Sequence, residues 1–170
     1  MNPVLARWNE LTEPEAAQEI LPCCGAPRWA HAMARLRPFD DPESLLARSE
    51  DVWMQLDPED WDEAFASHPR IGEKKAPSSA TAQSAAWSSG EQSGVERAGA
   101  NVQEQLKRGN AEYERRFGRI YIVCATGKTA EEMLAILGSR LENHDAEELR
   151  ESAEQQRQIT QLRLRKWLEL

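Results

Sequence analysis

The chain has 170 residues and a formal net charge of −8, with 29% charged and 40% hydrophobic residues. This composition is typical of one soluble globular domain, long enough to bury a hydrophobic core, so residues 1–170 are treated as a single domain. The acidic balance and the lack of clustered Lys and Arg argue against binding to nucleic acid. No apolar run approaches the roughly 20 residues of a membrane span, so no membrane partner is expected.

The opening stretch "MNPVLARWNELTEPE" lacks the apolar segment of a secretory signal. The three cysteines, Cys23, Cys24 and Cys124, do not have metal-binding spacing, and the chain has only three histidines to combine with them. We therefore expect a cytoplasmic protein whose cysteines are packing residues and which binds no metal.

Helix start signals follow one another along the first 60 residues. Thr12 and Glu15 have the spacing of a capping box, and they predict a helix that ends near Pro22. The Asp-Pro dipeptides at 41–42 and 57–58 each place an N-cap aspartate before a proline at the first helical position. They predict two further helices.

The composition changes between Ile71 and Gly90, where Ser and Ala dominate and no apolar period is visible. This stretch predicts a long loop that can hold a short helix around 80–87. A loop of this length inside a domain is uncommon, and it often has a functional role.

A long helix is predicted from about Gln92 to Phe117, with Gly118 as the glycine that ends it. The stretch "RIYIVCA" at 119–125 is rich in β-branched and aromatic residues, as strands are. Because the chain offers no partner strand, the stretch is predicted to be an extended buried connection.

Two more helices complete the predicted fold. Thr129 and Glu132 form a second capping box, and Asp145 with Glu148 begins a last helix that runs almost to Leu170. The expected fold class is all-α, a single compact multi-helix domain of about seven or eight helices with one long loop.

His68 is the first residue that can carry chemistry. It precedes Pro69, which disfavours the α conformation for the residue before it, so the helix is predicted to end here. The histidine would then lie at a helix C-terminus, able to donate or accept a proton near neutral pH. It can equally be a cap that bonds the last carbonyls of the helix, and the local sequence favours that role.

Ser88 and Glu91 are again three residues apart, as in a capping box. One interpretation is that they only begin the long helix. The other is that this helix N-terminus binds an anion, while Glu91 and Gln92 supply an acceptor and an amide to a polar ring. Both interpretations can hold together.

Arg163 lies four residues from Ile159 and four from Trp167, on the apolar face of the last helix. An arginine on such a face needs an anionic partner. The partner can be a Glu or Asp of the same chain, or it can be the carboxylate or amide of a ligand that the guanidinium grips.

Four segments together resemble a known family: His68-Pro69, Ser88-x-x-Glu91-Gln92, "RFGRIYIVCATGKTAEEMLAIL" and "NHDAEELRESAEQQRQITQLRLRKWL". They are similar to the 2-oxo-4-hydroxy-4-carboxy-5-ureidoimidazoline (OHCU) decarboxylases, over essentially the whole chain. The most specific parts are "YIVCATGK" and "EQQRQIT". After the histidine this chain reads "HPRIGEKK", where members of the family often read "HPDLAGK".

The resemblance implies an all-α enzyme that converts OHCU to (S)-allantoin, the last step from urate. It also implies a homodimer whose partner is a small ureidoimidazoline substrate, with no metal and no organic cofactor. Two other functions stay open, namely a non-catalytic helical module that binds a ligand or a protein, and a related cofactor-free ureide hydrolase.

The resemblance implies catalytic roles for His68, Glu91 and Arg163. His68 would polarise or deprotonate the substrate hydroxyl or protonate the carbon afterwards, Glu91 would orient the substrate, and Arg163 would neutralise charge on the ring. The substrate-binding residues that it implies are Pro69, Ser88, Ser89, Gly90, Gln92, Tyr121, Ile122, Val123, Cys124 and Ala125.

Overall fold

The computed structural model describes residues 2–73 and 77–170, and across these two ranges all regular structure is helical. The all-α prediction is therefore confirmed. None of the helices in this part of the chain is both long enough and apolar enough to cross a membrane. The helices are α1 Pro3–Asn9, α2 Glu13–Cys24, α3 Pro27–Arg35, α4 Pro42–Met54, α5 Pro58–Ala66, α6 Ala82–Glu91, α7 Ser93–Glu96, α8 Ala100–Phe117, α9 Ala130–Arg140 and α10 Asp145–Trp167.

The described residues thus form ten helices, more than the seven or eight expected. Helices α1 and α3 were not predicted, although both have proline at their first position, and α1 also has Asn2 as a cap. The Asn2 side chain accepts a hydrogen bond from the N–H of Leu5 at 3.1 Å, which is the usual role of an N-cap.

Three of the predicted helix caps are confirmed. The Glu15 carboxylate accepts from the backbone N–H of Thr12 at 3.0 Å, and Asp41 accepts from the N–H of Ser44 at 2.8 Å. At the start of α9, the Thr129 hydroxyl accepts from the Glu132 N–H at 3.1 Å. Each cap satisfies an N–H group that has no partner inside its own helix.

Helix α2 does not end near Pro22, as the sequence had suggested, but continues to Cys24. A proline within the last turn removes only one intrahelical donor. The helix ends instead at Gly25, whose φ of 90° lies in the left-handed region that glycine adopts most readily.

The short helix predicted around 80–87 within the long loop is present as α6, although α6 runs on to Glu91 and so occupies the second half of the predicted loop. The Thr81 hydroxyl caps this helix by accepting from the N–H of Ser84 at 3.0 Å. The Ser and Ala residues of α6 lack an apolar period, which is why its full length was not evident. Residues 74–76 of the predicted loop lie outside the described residues.

The predicted helix from Gln92 to Phe117 is in fact two helices, α7 and α8. Gly99 is the N-cap of α8, and Gly118 ends it with a φ of 69°, as expected. Glycine weakens a helix interior, so Gly99 was an available signal for the break.

Two compact units can be distinguished along the chain, and the first comprises Met1–Ala64 and Arg157–Leu170. Its core is built around tryptophans, because Trp8, Trp29 and Trp53 are all at most 1% exposed. The indole N–H groups of the first two donate to backbone carbonyls, so their burial leaves no polar atom without a partner.

The second unit comprises Phe65–Gln156. Its core contains side chains from the helices α7, α8 and α9 and from the extended stretch that follows Gly118. Residues 121–125 of this stretch are all buried and form no regular structure, which confirms the prediction of an extended buried connection. The core residues are Ile71, Val95, Leu106, Tyr113, Phe117, Tyr121, Val123, Ala125, Ala130, Met133 and Leu137.

Candidate active site

His68 lies two residues beyond the end of α5 and is only 9% exposed. Its Nε2 atom is 2.7 Å from Oε1 of Gln156, a fully buried residue of α10. An amide oxygen can only accept, so Nε2 is the donor in this hydrogen bond. At least this ring nitrogen bonds a distant side chain and not a carbonyl of its own helix.

Pro69, the residue that follows this histidine, lines a cavity of about 200 Å³. Four of the predicted binding residues line it together, namely Pro69, Ser88, Ser89 and Gln92. The oxygen of the Gln92 amide accepts from the backbone N–H of Gly72 at 3.0 Å, which orients the amide at the cavity wall. The remaining lining residues are Gly72, Glu73, Ala85, Val95, Glu96 and Gln103.

Glu91 and Ala125 line a different cavity, of about 340 Å³, in the same unit. The turn that follows Ala125 contributes Gly127, Lys128 and Thr129 to this cavity. Six of the predicted site residues therefore line one of these two cavities, whereas His68, Gly90 and the residues from Tyr121 to Cys124 line neither.

The capping-box interpretation of Ser88 and Glu91 is wrong. Both residues lie in the last part of α6, and the residue that caps this helix is Thr81. A capping box needs an extended N-cap residue, whereas Ser88 is inside the helix and 3% exposed. No helix N-terminus is therefore available at Ser88 for an anion.

The α7 helix packs closely against the turn that follows Ala125. A Cβ atom added at Gly94 would lie 2.8 Å from the carbonyl oxygen of Lys128, a backbone atom that cannot move by itself. This close approach holds Glu91, three residues earlier, near the end of the extended stretch.

Substituting Gly94→Ala is expected to lower the free energy of unfolding by about 1–3 kcal/mol, because the new methyl overpacks this contact. The matched control is Gly138→Ala in α9, where an added Cβ meets open space. There the better helix propensity of alanine should raise stability by up to about 1 kcal/mol. Urea unfolding of both variants checks this, and equal effects would contradict the contact.

Several backbone groups of the extended stretch form hydrogen bonds with side chains of the same unit. The N–H of Cys124 donates to Oε1 of Gln155 at 2.9 Å, and the carbonyl of Cys124 accepts from Nζ of Lys128 at 2.7 Å. The carbonyl of Ile122 accepts from Nη1 of Arg140. These contacts fix the conformation of a stretch whose backbone was expected to line the site.

A buried ion pair between Arg140 and Glu148 supports the extended stretch, because Arg140 also bonds the Ile122 carbonyl. Nε and Nη2 of Arg140 donate to Oε1 of Glu148 at 2.8 and 2.5 Å, and the two residues are 4% and 0% exposed. The hydroxyl of Tyr113 donates to the same oxygen at 2.5 Å, and Asn143 donates to the other at 2.9 Å. Burial lowers the pKa of Arg140, but the bonds and charge of Glu148 outweigh it and the net pKa is raised.

Two buried tyrosines, Tyr113 in this network and Tyr121 with its ring beside Arg140, predict a loss of stability in alkali. Burial, aided by the bond to Glu148, raises the pKa of Tyr113 to about 12, and burial also raises the pKa of Tyr121. The folded protein keeps these protons when the unfolded chain, with an ordinary tyrosine pKa of about 10, releases them. The stabilisation is thus present below about pH 10 and is lost as the pH rises towards about 12.

Urea unfolding at several pH values between about 8 and 11.5 checks this expectation. The decline should be smaller in Tyr113→Phe, which has no hydroxyl to ionise at that position. A decline of the same size in the variant would show that other groups cause it.

Arg163 belongs to the first unit, where it is 2% exposed. Its Nη1 donates to the carbonyl of Pro22 at 3.1 Å. That carbonyl lies in the last turn of α2, where carbonyls have no partner inside the helix. The arginine therefore has a structural contact in addition to the ligand role expected from the sequence.

Gln155 and Gln156 were not singled out from the sequence, although both lie in the segment "EQQRQIT" that carries the resemblance. A buried glutamine within a polar helix has no distinctive local signal, so only the tertiary contacts identify them. For the residues described, no group of three His, Cys, Asp or Glu side chains is placed to hold a metal ion.

The fold and this site define an all-helical protein with a buried histidine and a small polar cavity beside the residue that follows it. Residues 9–165 match the family model described as OHCU decarboxylase. The chain therefore belongs to the OHCU decarboxylase family.

Two curated relatives are similar to parts of this chain. The uric acid degradation bifunctional protein TTL of Arabidopsis thaliana is 35% identical over 153 residues, which cover 85% of this chain and 44% of that protein. The 2-oxo-4-hydroxy-4-carboxy-5-ureidoimidazoline decarboxylase of Amia calva is 40% identical over 60 residues, 35% of this chain and 34% of that protein. Each match thus covers less than half the length of the curated relative.

Two solved structures share the fold. A crystal structure of OHCU decarboxylase in the presence of (S)-allantoin has a TM-score of 0.77 and 33% identity, and the match covers 89% of this chain and 98% of that one. A crystal structure of (S)-allantoin synthase has a TM-score of 0.72 over 96% of this chain and 53% of that one. At 16% identity, the second shows likeness of fold alone.

Proposed function

We propose that this protein decarboxylates OHCU to (S)-allantoin, the last step of urate degradation. The observation that carries the proposal is the likeness to a decarboxylase solved in the presence of (S)-allantoin, at 33% identity over 98% of that chain. The family match over 9–165 extends through both compact units, and it supports 1–170 as one functional domain.

The chemistry defines what the site must supply. OHCU carries a carboxylate and a hydroxyl on one ring carbon, next to a carbon that is doubly bonded to nitrogen and bears the ureido group. When the bond to the carboxylate breaks, carbon dioxide leaves, the bonding electron pair forms a C=C bond to the ureido-bearing carbon, and the ring nitrogen of the former C=N bond takes up a proton, which gives an enol-like intermediate. The hydroxyl then loses its proton as the ring carbonyl forms, and a proton adds to one face of the ureido-bearing carbon.

The catalytic residues proposed for these steps are His68, Glu91 and Arg163. His68 is proposed to accept the hydroxyl proton or to deliver the proton to carbon, since imidazole exchanges protons near neutral pH. Glu91 is proposed to orient the ureido or hydroxyl group, and Arg163 to neutralise charge that develops on the ring. Groups fixed in advance in this way often supply the largest share of a rate enhancement.

The proposed binding residues fall into two sets. Four of them, Pro69, Ser88, Ser89 and Gln92, line the cavity of about 200 Å³, and their hydroxyl and amide groups suit a small polar ring. Gly90 and the stretch from Tyr121 to Ala125 complete the proposed set. The Cys124 N–H and the Ile122 carbonyl are hydrogen-bonded to side chains of the protein, which favours a positioning role for these two residues.

We also propose a cytoplasmic homodimer that needs neither a metal nor an organic cofactor. These points are supported by the resemblance to the family. The oligomeric state can be measured by sedimentation equilibrium, where a monomer at micromolar concentration would contradict the proposal.

Release of carbon dioxide tests the reaction class. OHCU is made fresh from 5-hydroxyisourate and its hydrolase, and carbon dioxide is followed with and without this protein. The proposal expects a release rate proportional to protein concentration. A ureide hydrolase would release ammonia or urea instead, and a non-catalytic binding module would leave the spontaneous rate unchanged.

A further inference from the structure

We propose that Gln156 is a positioning residue that holds His68 in the tautomer with its proton on Nε2. The two side chains meet at 2.7 Å, and they are 0% and 9% exposed, so water does not compete for the bond. The catalytic meaning of this inference rests on the proposed function, whereas the geometry itself does not.

The chemistry of the partner sets the tautomer. The oxygen of a glutamine amide accepts but cannot donate, so the nitrogen facing it must carry the proton. A neutral imidazole has one N–H and one basic nitrogen, and the basic nitrogen is then Nδ1. An amide also adds no negative charge, so it orients the ring without favouring the imidazolium form as a carboxylate would.

Gln155, the neighbour of Gln156 on α10, contacts a second segment of the same unit. Oε1 of Gln155 accepts the N–H of Cys124 at 2.9 Å, while its Nε2 donates to Glu151 at 2.9 Å. Consecutive helix residues point about 100° apart, so one turn of α10 supports two different segments. Gln156 supports the histidine, and Gln155 supports the extended stretch.

Two substitutions separate the role of the amide from that of packing. Gln156→Met keeps the length of the side chain but removes the acceptor, so the ring loses the partner that fixes its tautomer. We expect kcat to fall by about tenfold or more, with a smaller change in KM, since the lost bond aligns the catalytic group. Gln156→Glu keeps an acceptor and adds a charge, so it should retain the tautomer and raise the pKa of His68.

Ring ¹⁵N chemical shifts measured by two-bond ¹H–¹⁵N correlation read the tautomer without any turnover. The chain has only three histidines, and the exposed His31 and His144 can each be replaced by glutamine to assign the signals. The neutral ring of His68 should show a protonated Nε2 and a basic Nδ1. Gln156→Met should lose this pattern, while Gln155→Met, the matched control on the same helix, should leave it intact.

A wild-type spectrum with the proton on Nδ1 would overturn the proposal, as would an unchanged pattern in Gln156→Met. If Gln156→Met does not fold, the wild-type spectrum and the higher pKa in Gln156→Glu decide the matter. A protein with the predicted spectrum that releases no carbon dioxide would contradict the proposed function and leave the positioning role standing. A protein that releases carbon dioxide but carries the proton on Nδ1 would contradict the positioning role and leave the proposed function standing.

Discussion

Replacing Glu148 with glutamine is expected to lower the free energy of unfolding by about 3–5 kcal/mol. The change removes the negative partner of Arg140, which is 4% exposed and keeps its positive charge. It also places an amide N–H among groups that donate, because Tyr113 and Asn143 both direct hydrogen bonds at this carboxylate. An uncompensated buried charge is among the most destabilising features that a single substitution can create.

Glu104→Gln in α8 is the matched control, since it makes the same chemical change in an exposed pair with Arg108. A surface pair at this spacing contributes about 0.3–0.5 kcal/mol, so the control should stay close to the wild-type stability. Both variants can be measured by urea unfolding near neutral pH. A loss below about 1 kcal/mol in Glu148→Gln would show that the buried pair is not a principal support of the extended stretch.

Replacing His68 with asparagine is expected to reduce turnover of OHCU by at least about a hundredfold, because a positioned acid or base contributes about 10² to 10⁴-fold. Asparagine is polar and cannot exchange protons near neutral pH, so it removes the chemistry of the ring while it keeps a hydrogen-bonding side chain. Initial rates of carbon dioxide release, together with a urea unfolding curve, measure the two effects separately.

The control for this variant is His144→Asn, which replaces an exposed histidine in the turn before α10 and should keep the wild-type rate. If His68→Asn turned over OHCU at nearly the wild-type rate, His68 would not be the acid or base. A large loss of stability in the same variant would instead assign the histidine a structural role.

Several helix ends were predictable from the sequence because their signals are local. Thr12, Asp41 and Thr129 each cap the helix expected of them, and Gly118 ends α8 with a φ of 69°. Such caps depend on hydrogen bonds between residues three or four positions apart, so nearby residues contain the information.

The interior of the loop predicted at 71–90 was less predictable, because the Ser and Ala residues of its helix show no apolar period. The three-residue spacing of Ser88 and Glu91 also occurs at the end of α6, where it has no capping role. A spacing by itself does not distinguish the first turn of a helix from the last.

The surroundings of the candidate site could not be predicted from local sequence at all. His68 and Gln156 are 88 positions apart, and Arg140 reaches the carbonyl of Ile122 across 18 positions. The resemblance to a family identified residues for the site, but only the folded chain shows which side chains hold them. That is why Gln156 emerges from the structure and not from the motifs.

The stereochemistry of the product distinguishes enzymatic from spontaneous formation of allantoin. Fresh OHCU is incubated with the wild-type protein, and circular dichroism follows the allantoin that forms. Spontaneous decay gives a racemate, whereas a site that delivers a proton to one face gives a single enantiomer. The account predicts a dichroic signal of (S)-allantoin that grows in proportion to protein concentration. Racemic allantoin formed at the spontaneous rate, whatever the protein concentration, would contradict it.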